Sequence, residues 1–442
     1  MEMQFNPLTL KNEVNNYDNS FAILLLSVIA LVVIVTLIAA AMLVVQSNYA
    51  LQAQKAAGKK PNNFRQDITM YLNEKFYVTL LTLPVLGVVV FAAYRDGTGF
   101  DVLRRYLNYG SVEKAGGESV YDYDASASNR FAALGDRLVV LSDTRLRVLN
   151  ASGGEVWSTA VNMSAPALHS GGERAVAYDV GGTALYVVDR NGEVLSLTAA
   201  EEEPFLSATL NEKGWMAVTA KKKNYKGCVN VYDDGMELVF AFNSSRRFVT
   251  DAWVAGEGNA LAAVTLGQEN GTFVSNVVLY DLTQTEPVAD YSVRDGLVMC
   301  ITQQNGTLVT VSDNKLTFAD TGGQIAGEYD YTSSYLREYD CGGDGYTVLL
   351  LNRYQSGSVG RLVTVGTGGE ELASLDVHEE VLSVSAVGRY IAVLYTDSLV
   401  VYNPDLQAYA TVKGTGYAKE ALVRTDGSAL LIASESARLF LP

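Results

Sequence analysis

Few side chains in this chain have a type and spacing that could do covalent chemistry. The 442 residues hold only two histidines, His169 and His378, far apart in sequence. A single imidazole with no second ligand or nucleophile at a fixed offset reads first as a hydrogen-bonded structural residue. No HExxH helix, no Ser/His/Asp order and no phosphate-cradling glycine loop appears. The run GTGG at residues 366–369 is not followed by a helix pattern, so it reads as a hairpin turn. Carboxylates are so numerous that no pair stands out as acid and base. The three tryptophans, Trp157, Trp215 and Trp253, lie in no cofactor box, and no quinone or calcium site is expected. The sequence therefore assigns no catalytic, cofactor-binding or metal-binding residue, and the expectation is a protein that is not an enzyme.

Cys228, Cys300 and Cys341 form no CxxC pair. An odd count without that spacing gives neither a disulfide framework nor a zinc site. They read first as small buried apolar side chains, with a Cys300–Cys341 bridge between neighbouring repeats as the second reading.

What remains is contact surface, and it falls in four segments. The tip KKKNYK (221–226) carries Lys221, Lys222, Lys223 and Lys226. The segment EYDYTSSYLREY (328–339) carries Tyr329, Tyr331, Tyr335 and Tyr339. These eight are the candidate partner-binding residues: lysines to orient an acidic partner, tyrosines as rigid amphipathic contact area or as packing between repeats. Two further insertions, GQENGTFVSN (267–276) and NRYQSGSVG (352–360), accompany them.

The elements that must position these residues are read from residues 130–159, RFAALGDRLVVLSDTRLRVLNASGGEVWST. Four short apolar runs, at 131–134, 137–141, 145–149 and 155–158, are separated by turn residues, which is a four-stranded antiparallel unit. Such a unit exposes apolar faces on both sides and needs copies to pack against. Copies of its second strand begin at Leu138, Ala175, Met216, Leu261, Leu308, Thr347, Ile391 and Leu430. A recurrence of about 40–45 residues is the propeller period. The fold class is thus all-β, an eight-bladed β-propeller, with seven blades as the alternative. The last unit has three strands, and SVYDYD (119–124) is a strand without a unit, so the ring is expected to close by pairing the two. In such a ring all four contact segments fall on the face that carries the second-to-third and blade-to-blade connections.

Residues 21–45 (FAILLLSVIALVVIVTLIAAAMLVV) and 76–94 (FYVTLLTLPVLGVVVFAAY) contain no charge, and each is long enough to span a bilayer. A cleaved signal peptide is the alternative for the first. The expected organisation is a polar tail (1–20), a first transmembrane helix (21–45), a connector (46–75), a second transmembrane helix (76–94), a juxtamembrane stalk (95–117) and the propeller (118–442). The connector carries five basic residues against the single Lys11 before the first span, which places it in the cytoplasm and the propeller outside. Of the chain's 33 Lys+Arg and 49 Asp+Glu, 23 and 41 fall in residues 118–442, so this body repels phosphate backbones and no nucleic-acid partner is expected.

The juxtamembrane VLRRYLNYG followed by YDYDASASNRFAALGDRLVVLSDTRLRVLN resembles the start of an uncharacterised bacterial family, mostly of Gram-positive anaerobes. In that family a membrane helix carries an extracytoplasmic propeller. The resemblance covers roughly residues 76–442; the additional first span departs from its one-helix pattern, and the family has no established activity to carry over. The segments LNASGGEVW, VDRNGEVLS and YDDGMELVF are in turn similar to the repeat signature of quinoprotein-like propellers, a repeat also used by envelope-assembly propellers that bind no quinone. No WD dipeptide or other WD40 signature is present. Connections lengthened on one face only are where such a ring places its contacts, so the chain is read as a scaffold in the cell envelope whose partner is an envelope or secreted protein. A cell-wall or glycan-binding sensor is the alternative, and a hydrolase with unrecognised carboxylates a distant third.

Overall fold

The computed structural model describes Asp101, Arg105 and residues 121–442 other than 285, 294 and 295. Both expected membrane spans lie outside the described residues. Among the described residues no helix is long and apolar enough to cross a membrane. The chain divides into two compact units, Met1–Leu107 and Asn108–Pro442, and the second holds the propeller.

Eight four-stranded antiparallel sheets make the ring. Blade 1 is β2 (Arg130–Leu134), β3 (Arg137–Leu141), β4 (Arg145–Leu149) and β5 (Glu155–Ala160), nearly the strand boundaries read from the sequence. Blades 2 to 7 follow as β6–β9, β10–β13, β14–β17, β18–β21, β22–β25 and β26–β29, beginning at Pro166, Phe205, Phe248, Val298, Tyr335 and Val381.

Blade 8 is made from both ends of the described chain. Its strand order is β30 (Glu420–Val423), β31 (Ala429–Ile432), β32 (Ser436–Phe440) and then β1 (Tyr121–Asp122), with Tyr121 opposite Ala437 and Asp122 opposite Ser436. The expected closure is present. Tyr121 is fully buried with Leu138 and Leu149 of blade 1 and Leu430 and Ile432 of blade 8. The Tyr123 hydroxyl reaches the carbonyls of Ser436 (2.7 Å) and Ala433 (3.0 Å).

Position within the sheet explains why second strands were the legible mark. Neighbouring blades cover both of their faces, so every residue of Met216–Ala220 and of Tyr346–Asn352 is buried. Fourth strands, at the outer edge, alternate exposed with half-buried side chains, as in Glu193–Thr198. The turns into them are held by an Asn or Asp. Asn150 Oδ1 accepts the N–H of Ser152 and of Gly154, and Asp320 Oδ1 those of Gly322 and Gln324. The quinoprotein-like signature thus reports this side-chain cap, a local alternative to the ladder.

Innermost strands share a second device. In blades 3 to 7 the pairing of first and second strand slips near the start of the first strand, after Phe205, Val249, Val298, Leu336 and Val381. Pairing resumes at Ser207, Asp251, Cys300, Glu338 and Ser383, all polar or thiol-bearing. A bulge re-aims the side chain that follows it. Here it aims each one at the next blade, whose inner edge has backbone groups without a strand partner.

Candidate functional site: the long-connection face and the inner girdle

Antiparallel order puts the second-to-third and blade-to-blade connections at one end of the ring. Among the described residues the six exposed aromatic side chains, Tyr225, Phe248, Phe273, Tyr335, Tyr354 and Tyr417, all lie at that end, with Phe273 68% and Tyr354 62% exposed. The exposed aliphatic residues at the other end, such as Val156, Val194, Ile325 and the adjacent Leu238 and Val239, stand at the starts of outer strands. The six belong to blades 3, 4 and 6 and to the connection between blades 7 and 8, so what they share is one face of the ring.

The segment 267–276 is not the loose insertion expected from its composition. It continues β15 (Ala260–Glu269) and β16 (Thr272–Tyr280) as a paired hairpin, with Gly267 opposite Val274 and Glu269 opposite Thr272. Asn270 (φ 50°) and Gly271 (φ 87°) form its two-residue turn, the left-handed pair such a hairpin requires. Arg247 props the arm, donating to Asn276 Oδ1 and to Glu269 Oε1, each at 2.7 Å. A Cβ on Gly267 would meet that guanidinium group at 3.0 Å. The hairpin therefore presents Phe273 on a stiff support.

The connection 353–359 is a true loop between β23 (Tyr346–Asn352) and β24 (Gly360–Gly366), closed by Asn352 Nδ2 donating to Gly357 O at 2.9 Å. Beside it a cleft of about 300 Å³ is lined by Arg337, Asn352, Gly357, Ser358 and Glu380. Tyr335, half exposed, stands opposite Asn352 in the strand register and thus next to this cleft.

The eight candidate residues separate into two groups. Lys221, Lys222, Lys223 and Lys226 stand on the connection after β11 (Met216–Ala220), as expected, but not as four free charges. Lys222 pairs with Glu203 and Lys223 with Glu202, each at 2.9 Å, and Lys226 Nζ sits 4.7 Å over the ring of Phe248. The hydrogen bond from Lys222 holds the Glu203 carboxyl below its ordinary range. The local field is therefore weaker than the run of lysines implies.

Of the tyrosines only Tyr335 offers an open face. Tyr331 is 2% exposed, and its hydroxyl donates to Ser312 O at 2.5 Å within the packing of blade 5 against blade 6. Tyr329 donates to Glu371 Oε2 at 2.6 Å, and burial pushes its phenol up to about 12. Tyr339 packs in the same cluster. The segment 328–339 is the end of β21 (Ile325–Asp330), a short link and β22 (Tyr335–Asp340), and Tyr329, Tyr331 and Tyr339 take the packing role between repeats that is one of their two readings. Phe273 and Tyr354 were missed, although an aromatic inside an otherwise polar insertion was a signal available in the sequence.

The inner girdle is the second assembly of polar groups. Ser207 donates to Asp251 Oδ1 (2.6 Å), the same oxygen accepts the N–H of Ala252 (2.9 Å), and Ser383 Oγ accepts that of Ala421 (2.8 Å). Asp340 Oδ2 accepts from Ala386 N (2.9 Å), and His169 Nδ1 from Leu210 N (3.1 Å). Burial raises Asp251 and Asp340 to about 6 and Glu338 to about 7, and lowers His169 to about 4. His169 is a neutral acceptor, the structural role read from the sequence; His378 is exposed in a connection. A cleft of about 360 Å³ runs past Glu338, Asp340, Ser383, Ser385, Lys419 and Glu420. Among its carboxyls Asp340 accepts the N–H of Gly342 and of Ala386, and among the described residues no three His, Cys, Asp or Glu are placed to hold a metal ion.

Fold and surface together define an eight-bladed propeller with one aromatic face and a polar inner girdle. Residues 108–408 match the model of a family described as "Family of unknown function (DUF5711)", and the chain belongs to that family. No curated protein matches the sequence. Among solved structures the computationally designed Ika8 protein aligns with TM-score 0.54 at 14% identity, covering 74% of this chain and 100% of its own. The C-terminal WD40 domain of Sif2 aligns with TM-score 0.53 at 13% identity, covering 74% and 98%. BamB from Moraxella catarrhalis gives 0.46 at 14% identity, covering 73% and 98%. With 732 solved chains matching, the likeness identifies an architecture and not an activity.

Proposed function

We propose that this protein is a propeller of the bacterial cell envelope, anchored in the bilayer by two helices and held outside the membrane, that recruits an envelope or secreted protein. It works by binding and not by catalysis. The observation that carries this reading is that, among the described residues, all six exposed aromatic side chains lie on one face, with Phe273 on its hairpin arm and Tyr335 beside a cleft. Rigid aromatic groups around a concave polar site are the usual anchors of a protein interface. Arg337 and Glu380 on the cleft wall suit a partner segment of mixed charge with an apolar anchor.

The test is capture of partners from envelope extracts by the full chain in detergent. The triple variant Phe273→Ser, Tyr335→Ala, Tyr354→Ala is expected to lose the partner while keeping its unfolding midpoint, and Val156→Ser with Val194→Ser to keep it. A triple variant that still captures every partner overturns the assignment to this face. Binding of isolated cell wall by the native chain, lost in the triple variant with no protein captured, would select the glycan-sensor reading. Protease added to intact cells is expected to cleave the propeller; protection until lysis overturns the outside location.

A further inference from the structure

At the register where the other bulged strands make a hydrogen bond to the next blade, blade 5 presents a thiol. Cys300 follows the bulge of β18 (Val298–Gln304), and its side chain packs with that of Cys341, which follows β22 of blade 6, against one cluster between blades 5 and 6. Neither is in a disulfide, and both are part-exposed, whereas Cys228 is buried. The second thiol is held in place. Gln304 Nε2 donates to Cys341 O (2.6 Å) and Tyr346 O (2.7 Å), tying that connection to blade 5, and Thr347 Oγ1 lies 3.9 Å from Cys341 Sγ.

We propose that Cys300 and Cys341 are a cross-linking site, at which thiol–disulfide exchange converts the girdle contact between blades 5 and 6 into a covalent bond. The oxidant is a small-molecule or protein disulfide. Burial and the neighbouring Cys341 hold the Cys300 thiol well above its usual range, so Cys300 attacks second; the first nucleophile is Cys341, in the connection after β22. Its thiolate attacks the oxidant's sulfur, forming a mixed disulfide and releasing one thiolate. Cys300 then loses its proton and attacks Cys341 Sγ, the new S–S bond forms, and the second thiolate leaves. Two protein thiols are oxidised and one disulfide is reduced to two thiols. Because the contact links blades adjacent in the ring but separated by a whole repeat in sequence, the bond closes a long loop and restricts the unfolded chain.

The test is incubation of the folded full chain with oxidised glutathione, followed by denaturation, alkylation and mass spectrometry of a non-reduced digest. The expected product is a Cys300–Cys341 linked peptide, lost on reduction, with Cys228 alkylated throughout. The linked protein is expected to unfold several degrees higher than the reduced form. The Cys300→Ser variant is expected to retain a glutathione adduct on Cys341. Alkylation of all three cysteines in the oxidised native chain overturns the proposal, as do links that involve Cys228 or form only between chains. The measurement on the native chain stands even where the variant does not fold.

Discussion

The hydroxyl of Ser207 donates to Asp251 Oδ1 at 2.6 Å, joining two residues that follow equivalent bulges in neighbouring blades. Asp251 Oδ1 also accepts the N–H of Ala252 at 2.9 Å, so one carboxyl ties blade 3 to blade 4 and fixes the backbone after the bulge. Removing it in Asp251→Ala leaves two part-buried donors without an acceptor, which costs about 1–3 kcal/mol for each group so stranded. Urea denaturation of the variant is expected to show a lower midpoint with an unchanged slope; a midpoint equal to the native one would contradict the girdle's role.

The girdle also sets the pH dependence of stability. Asp251 and Asp340 rise from their ordinary 3.8 to about 6 and Glu338 from 4.5 to about 7, so between those values the folded chain holds more protons than the unfolded one. Their contribution is fully present below the unfolded values and is lost as pH rises through 6 to 7. His169, lowered from 6.5 to about 4, acts in the opposite direction over 4 to 6.5, against these three carboxyls and Glu420, which burial also raises. The urea midpoint is therefore expected to fall between pH 4.5 and 7, and Glu338→Gln to flatten that fall. A midpoint that climbs across this range would refute the assignment.

Two tyrosines four residues apart are expected to behave oppositely. Tyr331→Phe strands the buried carbonyl of Ser312 and costs about 1–2 kcal/mol, measured by chemical denaturation, without affecting partner capture. Tyr335→Ala leaves the denaturation curve in place and weakens capture.

Tyr121 is the seam's anchor. Its ring is fully buried between blades 8 and 1, and its hydroxyl accepts from Arg424 Nη2 at 3.0 Å. Tyr121→Ala is expected to cost about 3–5 kcal/mol, the range for removing a large buried aromatic, and to raise proteolysis within residues 420–440 first. Cleavage that begins instead in blades 3 to 5 would show that the seam is not the point of opening.

How much of this was legible follows from where each residue sits. Second strands such as Met216–Ala220 are covered on both faces, so they appear as unbroken apolar runs and count the blades directly. The turn caps at Asn150 and Asp320 are local, and local chemistry survives in sequence. Tyr331 and Tyr335 could not be told apart, because burial there depends on where β21 stops and β22 starts within one polar, aromatic stretch. The girdle was unreadable for a different reason: a bulge changes which way Asp251 and Glu338 point, and nothing in the residue types marks the slip. Asn270-Gly271 was readable as a hairpin turn, and the length of the surrounding insertion obscured it.

Blade 8 has a consequence in time as well as in space. Tyr123 bonds to Ala433 across 310 residues, so the first strand of the propeller to leave the ribosome waits for the last. Until Ser436–Phe440 emerges, β1 has no partner and blade 1 has an uncovered flank, while seven blades can already stack on one another. The finishing step is a long-range loop closure, slow by its sequence separation and wholly dependent on the final few residues. A chain cut short by a handful of residues at its end would be an open arc exposing apolar flanks, so protein quality control can read the completeness of synthesis directly from the ring.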